Sequence, residues 1–285
     1  MRTFISLSLS LLLLASSAVS QVKNKDYERQ KINEQKLKTV LAQQSDAVKA
    51  RYTYRHPFET LVFFGIKPGM TVVEVLPYSG WYSKILAAYL GKEGHIIAAD
   101  YPLPLWQHFS WADADYVQQR KQDTLEFANR ITQWQPLNTP KASAYTFDTM
   151  PASLSNSVDA VLFIRALHNL ARFNAEFHYL DQALSESYRI LKPGGIVGIV
   201  QHETSQANAD GGNGYLNRKQ VIQAMEKAGF TLQAESNVNS NPKDQPSANE
   251  EVWRLPPSLD VKDEALRQRY LAIGESNRMT LLFKK

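Results

Sequence analysis

From residue 71 the chain shows a short β-branched run, a turn, a stretch of helical apolar spacing, then a second apolar run. Residues 71–76 (TVVEVL) read as a strand, and Pro77-Tyr78-Ser79-Gly80 as a turn. Trp81–Leu90 has helical spacing and stops at Gly91. Residues 95–99 form the second apolar run, which Asp100 ends, 20 positions past Gly80. This is a βαβ unit with an acid at the tip of its second strand. The spacing suits a nucleotide-like ligand, with phosphate or carboxylate near the turn and ribose hydroxyls on the acid.

The alternation continues downstream. Strands are predicted at 141–147, 160–164 and, in the tail, 279–283, with helices at 177–191 and from Gln220 to an Ala228-Gly229-Phe230 stop that leads into another strand. Upstream, short helices are predicted at 45–51 and 57–64. Pro57 sits well in the first turn of the second, and Gly65 falls just past its end. Residues 113–134 have helical spacing and read as a covering helix. Residues 102–106 carry Pro102 and Pro104, so they are expected to be irregular and part of a lid. The polar, glycine-rich segment 205–214 follows a central strand and is expected over the site, and 237–258 reads as an ordered polar excursion containing Trp253.

Residues 71–100, 147–163 (FDTMPASLSNSVDAVLF) and 184–200 (LSESYRILKPGGIVGIV) resemble a class I S-adenosylmethionine (SAM) dependent methyltransferase. More narrowly, the chain resembles a secreted bacterial "predicted methyltransferase" family, through His56-Pro57, Phe63–Met70, Gly80-Trp81-Tyr82, His168-Asn169, Asn241-Pro242-Lys243-Asp244 and the tail from Gly274. The resemblance implies an α/β fold: a Rossmann-like, seven-stranded sheet with helices on both faces and an antiparallel last strand. It implies SAM as cofactor. Glu74 would help hold the methionine ammonium, Pro77, Tyr78, Ser79 and Gly80 would form the cofactor loop, Asp100 would accept the ribose hydroxyls, and Asp148 would lie near the adenine amino group. Glu74, in an apolar run, needs a polar partner in any case. Asp148 reads equally as a cap or Asx turn before Pro151. The family's acid-x-Gly-x-Gly-x-Gly pattern is altered here, because Leu76 and Tyr78 stand at the first two glycine positions and only Gly80 remains. A tyrosine at positive φ costs free energy, and its ring either swings outward or narrows the slot.

Candidate chemistry gathers after the fourth and fifth strands. His168 is a candidate general base or a structural imidazole, Asn169 orients a substrate, and Tyr215 walls the site or donates a hydrogen bond. No His-x-x-x-His pairing is present, so no metal is expected. With no cysteine, thiolate chemistry and disulfides are excluded. No Gly-x-Ser-x-Gly elbow supports a hydrolase. A net charge of +4 without a basic stripe does not argue for nucleic acid.

Residues 1–20 read as a signal peptide: Arg2, an apolar core at 4–15, and Ala18-Val19-Ser20 before cleavage ahead of Gln21. Residues 21–50 are a polar, helical arm, and 51–285 a methyltransferase-like domain. The expected address is periplasmic or secreted, with no integral membrane span after cleavage and a small-molecule substrate. The pattern does not set an oligomeric state. Two functions stay open: a methyltransferase of the cell envelope acting on a small acceptor, or a non-catalytic SAM-, S-adenosylhomocysteine- or nucleoside-binding protein on the same fold.

Overall fold

The computed structural model describes residues 25–285, so the signal and cleavage site expected at 1–20 lie outside the described residues. The chain divides between Gln43 and Gln44. Ahead of that division, residues 25–42 are helical. No helix among the described residues is long and apolar enough to cross a membrane.

The larger unit is built on eight strands: β1 (Thr71–Val75), β2 (His95–Asp100), β3 (Lys141–Thr146), β4 (Val158–Ile164), β5 (Leu191–Thr204), β6 (Leu216–Asn217), β7 (Thr231–Ser236) and β8 (Arg278–Lys284). Their order is β3-β2-β1-β4-β5-β8-β7, with the two-residue β6 pairing β5 off this path. β1 to β5 are mutually parallel, while β8 runs antiparallel to both neighbours, Phe283 lying opposite Val197 on one side and Leu232 on the other. The tail is the antiparallel last strand that the resemblance implied, and it lies inside the sheet. β1, β2 and β4 are almost wholly apolar because a parallel sheet is covered on both faces. Val73, Ile97, Val161, Phe163, Val197 and Leu281 are fully buried at its centre.

Local signals set most helix ends. Helix Trp81–Leu90 begins at Gly80 (φ 74°) and stops at Gly91 (φ 69°). Helix Ala114–Trp134 is capped by Asp113, whose carboxylate accepts from the Tyr116 amide at 2.8 Å. Lys192 to Gly195 form a bulge: Val158 pairs Leu191 and Ala160 pairs Ile196, so the turn is accommodated opposite Asp159. One expectation is corrected. Residues 102–106 contain a helical turn, Leu103–Trp106, with Pro102 ahead of it and Pro104 in its first turn, where a missing N–H is harmless. Leu105 and Trp106 are buried, so this segment is core as much as cover.

Candidate active site at the carboxyl ends of the strands

β1 delivers Glu74 to the floor of the crevice. It is buried beside Ala98 and Leu162, and its Oε2 accepts from Ser83 Oγ at 2.6 Å. Burial pushes its carboxyl up to about 7, against the pull of the Ser83 hydroxyl. At neutral pH it is therefore poised between its charged and uncharged forms.

The turn above Glu74 explains the altered motif. Leu76, Tyr78 and Gly80 have φ of 50°, 51° and 74°. All three positions of the glycine pattern keep the left-handed conformation, two of them without glycine, at about 1–2 kcal/mol each. The Tyr78 ring is more than half exposed and swings outward over Arg120, 5.2 Å from its guanidinium carbon. Gly80 has a second constraint, since a Cβ there would stand 2.2 Å from the Trp134 ring.

Asp100 reaches the expected place at the tip of β2, but its carboxylate is engaged. Oδ1 accepts from the Tyr101 amide at 2.7 Å, and Oδ2 pairs with Arg120 of helix Ala114–Trp134. Arg120 also holds Asp123 at 2.9 Å and lies 5.4 Å from the Trp106 ring, so it is sandwiched between Trp106 and Tyr78. Asp148 is exposed and lines a different cavity with Phe147 and Tyr179; Pro151, not Asp148, stands before the 3₁₀ turn Ala152–Leu154.

His168 and Asn169 lie on the short helix Leu167–Arg172 that follows β4, facing the crevice. Gln201 sets the imidazole. Its Oε1 accepts from the Leu167 amide (3.2 Å) and its Nε2 donates to Gly214 O (3.0 Å), which leaves the same Nε2 to face His168 Nδ1 at 3.4 Å. Nδ1 is thus the acceptor and Nε2 carries the proton. Burial pushes His168 down to about 4. In this arrangement the neutral imidazole carries Nε2–H as a hydrogen-bond donor. His202, 5.8 Å away ring to ring, meets Ser276 Oγ through Nδ1 at 2.5 Å and is also held neutral by burial. No group of His, Asp and Glu suited to a metal ion occurs among the described residues.

Tyr215 is not a wall of the crevice. It is fully buried, its hydroxyl donating to Asp244 Oδ2 at 2.9 Å and accepting from Arg254 Nη1 at 2.7 Å. Asp244 also accepts from the Asn277 amide at 2.9 Å, while Asn241 Nδ2 donates to Ile273 O at 2.9 Å. The Asn241-to-Asp244 motif is therefore a clamp on the tail.

Two cavities, of about 570 and 210 Å³, share Leu76, Tyr78, His168 and Trp253 as walls. The larger is faced by the aromatics Trp106, Phe109, Trp111 and Tyr116, with Asn169 and Arg172 at its polar side. Gly212 of the 205–214 loop joins its roof, and Gly211 packs against His168 O so closely that a Cβ would come within 2.2 Å. The smaller holds Glu74, Pro77 and Ser79 together with Arg55, Arg165 and His202. Sequence reading missed Arg120, Arg55 and Arg165 as site residues, because none sits in a motif; Trp253 was noted only as part of a polar excursion.

Residues 117–199 match a family model described as a methyltransferase domain. The matched span runs from the covering helix through β3 and β4 into β5, and so includes Arg120, Asp148, Arg165, His168 and Asn169. Solved structures similar to this chain include a SAM dependent methyltransferase from Aquifex aeolicus (18% identity, 71% of this chain and 93% of that one, TM-score 0.47). Others are the [4+2]-cyclase SpnF (15%, 81% and 80%, 0.49) and an arsenic(III) S-adenosylmethionine methyltransferase from Chlamydomonas reinhardtii (15%, 87% and 72%, 0.43). No curated protein matches the chain.

Proposed function

We propose that the protein transfers a methyl group from SAM to a small, partly apolar acceptor in the cell envelope. The observation that carries this reading is the turn above β1: Leu76, Tyr78 and Gly80 all hold positive φ directly over a buried carboxylate, Glu74. Backbone strain of this kind persists where the surroundings demand it, typically at ligand sites.

The residues present suit the cofactor. Glu74 offers a carboxylate for an ammonium, and Asp100 offers one for ribose hydroxyls once Arg120 yields it. SAM, when bound, supplies an activated methyl group on a sulfonium. What remains for the protein is alignment, exclusion of water and orientation of the acceptor. The aromatic walls of the larger cavity exclude water and match a partly apolar acceptor. His168 donates through Nε2, and Asn169 adds a second polar contact at the same wall.

Calorimetric titration with SAM and with S-adenosylhomocysteine tests the reading. Binding of either, weakened about tenfold or more by Glu74→Gln or Asp100→Ala, is expected from the loss of a charge-assisted contact. Because Glu74 must be ionised to hold an ammonium, affinity should rise between pH 6 and 8 in the wild type and stay flat in Glu74→Gln. No detectable binding, or identical affinities in the folded variants, would overturn it. The altered loop, with Leu76 and Tyr78 in place of glycine, favours one second reading, a binding protein that holds the nucleoside without turnover. Tight product binding with no transfer to any acceptor would select it. The export proposal rests on the signal pattern alone; a mature protein beginning at Gln21 in a periplasmic fraction is the expected result.

A further inference from the structure

The smaller cavity is lined by two guanidinium groups whose Nε atoms have no hydrogen-bond partner. We propose that Arg55 and Arg165 form an oxyanion site there, taking the carboxylate or phosphate group of a bound small molecule. Arg165 stands at the carboxyl end of β4 in the left-handed region (φ 60°), an uncommon conformation for a side-chain-bearing residue. Its Nε is buried with no hydrogen-bond partner, and it makes no ion pair among the described residues. The Nε of Arg55, a residue 5% exposed, is likewise unpartnered; it lies 3.9 Å from Glu275 Oε2, too far for a hydrogen bond.

The charges around them do not balance. Arg51 takes Glu275 Oε1 through Nε at 2.7 Å, and Arg278 holds Oε2 at 3.1 Å. Three guanidinium groups, those of Arg51, Arg55 and Arg278, thus share the one carboxylate of Glu275, and Arg165 has no ion pair among the described residues. Glu74, the acid lining the same cavity, pairs with Ser83 and makes no ion pair with either arginine among the described residues. His168 and His202, the other titratable walls, are neutral. Burial, then Arg165 and Arg51, push the Arg55 guanidinium down to about 8, and burial and Arg278 push Arg165 to about 10. Buried charge of one sign with free donors is costly unless a counter-charge arrives. An oxyanion supplies both the charge and the acceptors, in the forked geometry that guanidinium groups favour.

The group has two sources: the amino-acid carboxylate of a SAM-like nucleoside, or an acid group on the acceptor. Only the first rests on the proposed cofactor. The test begins without either, by measuring thermal melts of the full chain in inorganic phosphate against chloride at equal ionic strength. Phosphate should raise the melting temperature saturably, and Arg55→Met or Arg165→Met should weaken its binding about tenfold or more, since each removes a charge-assisted fork. In chloride, Arg165→Met should melt no lower than wild type, because it removes an unpaired buried charge. An undiminished phosphate response in both variants, or a large loss of melting temperature in chloride, would overturn the proposal and return these arginines to a structural role. Should Arg165→Met fail to fold, Arg55→Met and Arg165→Lys carry the same comparison.

The second arm titrates S-adenosylhomocysteine and its decarboxylated analogue. A preference for the carboxylate in wild type that vanishes in Arg165→Met assigns the site to the nucleoside. Equal binding of the two, with the phosphate site intact, assigns it to the acceptor. If neither nucleoside binds while phosphate does, the methyl-donor reading fails and the oxyanion site stands.

Discussion

At the scale of single residues, Tyr78 and Arg120 govern access to Asp100. The Tyr78 ring does not fill the slot; it covers the guanidinium that occupies the acid. Removing the ring loosens that latch. Tyr78→Gly should leave stability within about 1 kcal/mol, relief of positive φ offsetting the greater freedom of the unfolded chain. The same variant, and Arg120→Met more strongly, should tighten S-adenosylhomocysteine binding. A fall in affinity in both would show that the arginine and the ring are contacts for the ligand. His168 gives a pH signature. It stays neutral in the fold to about 4, against 6.5 for a free imidazole, so below pH 6.5 the unfolded chain takes up a proton that the folded chain refuses. Its contribution is complete above pH 6.5 and shrinks by about 3 kcal/mol as pH falls toward 4. His168→Gln should flatten that part of the stability curve, as read by urea unfolding across the range. Glu74 slopes the opposite way in both proteins and cancels in the comparison.

Among elements, the long helix Ala114–Trp134 ties the covering layer to the cofactor loop. Trp134 closes on Gly80 at one end, and Arg120 closes on Asp100 further toward the other. Gly80→Ala brings a Cβ into the Trp134 ring at a φ that alanine tolerates poorly. A loss of about 2 kcal/mol or more is expected, from overpacking plus backbone strain. In a Trp134→Ala background the further cost of Gly80→Ala should fall to about 1 kcal/mol, the backbone share alone. Equal costs in both backgrounds would mean that the ring moves aside freely.

Over the whole molecule, the tail is a keystone. β8 lies between β5 and β7 and supplies both with antiparallel partners, so a chain ending before Arg278 loses an interior strand and exposes two edges. Such a truncation should abolish cooperative unfolding in a circular-dichroism melt.

The βαβ unit of residues 71–100, the strands β3 and β4, the acid at the tip of β2 and the antiparallel tail strand were legible in the sequence, whereas β6 and the short helix Leu167–Arg172 were not. The former follow from period and turn chemistry, which act over a few neighbouring residues. Local pattern misjudged residues 102–106, where the place of each proline within a turn mattered more than its presence. Function at the site was decided by encounters the chain order does not announce. Arg120 brings the covering helix to Asp100, Gln201 selects the tautomer of His168, and Arg51, Arg55 and Arg278 gather around Glu275 from both ends of the domain. Those pairings depend on which charges and donors are carried out of water together, and only the packed tertiary structure determines that.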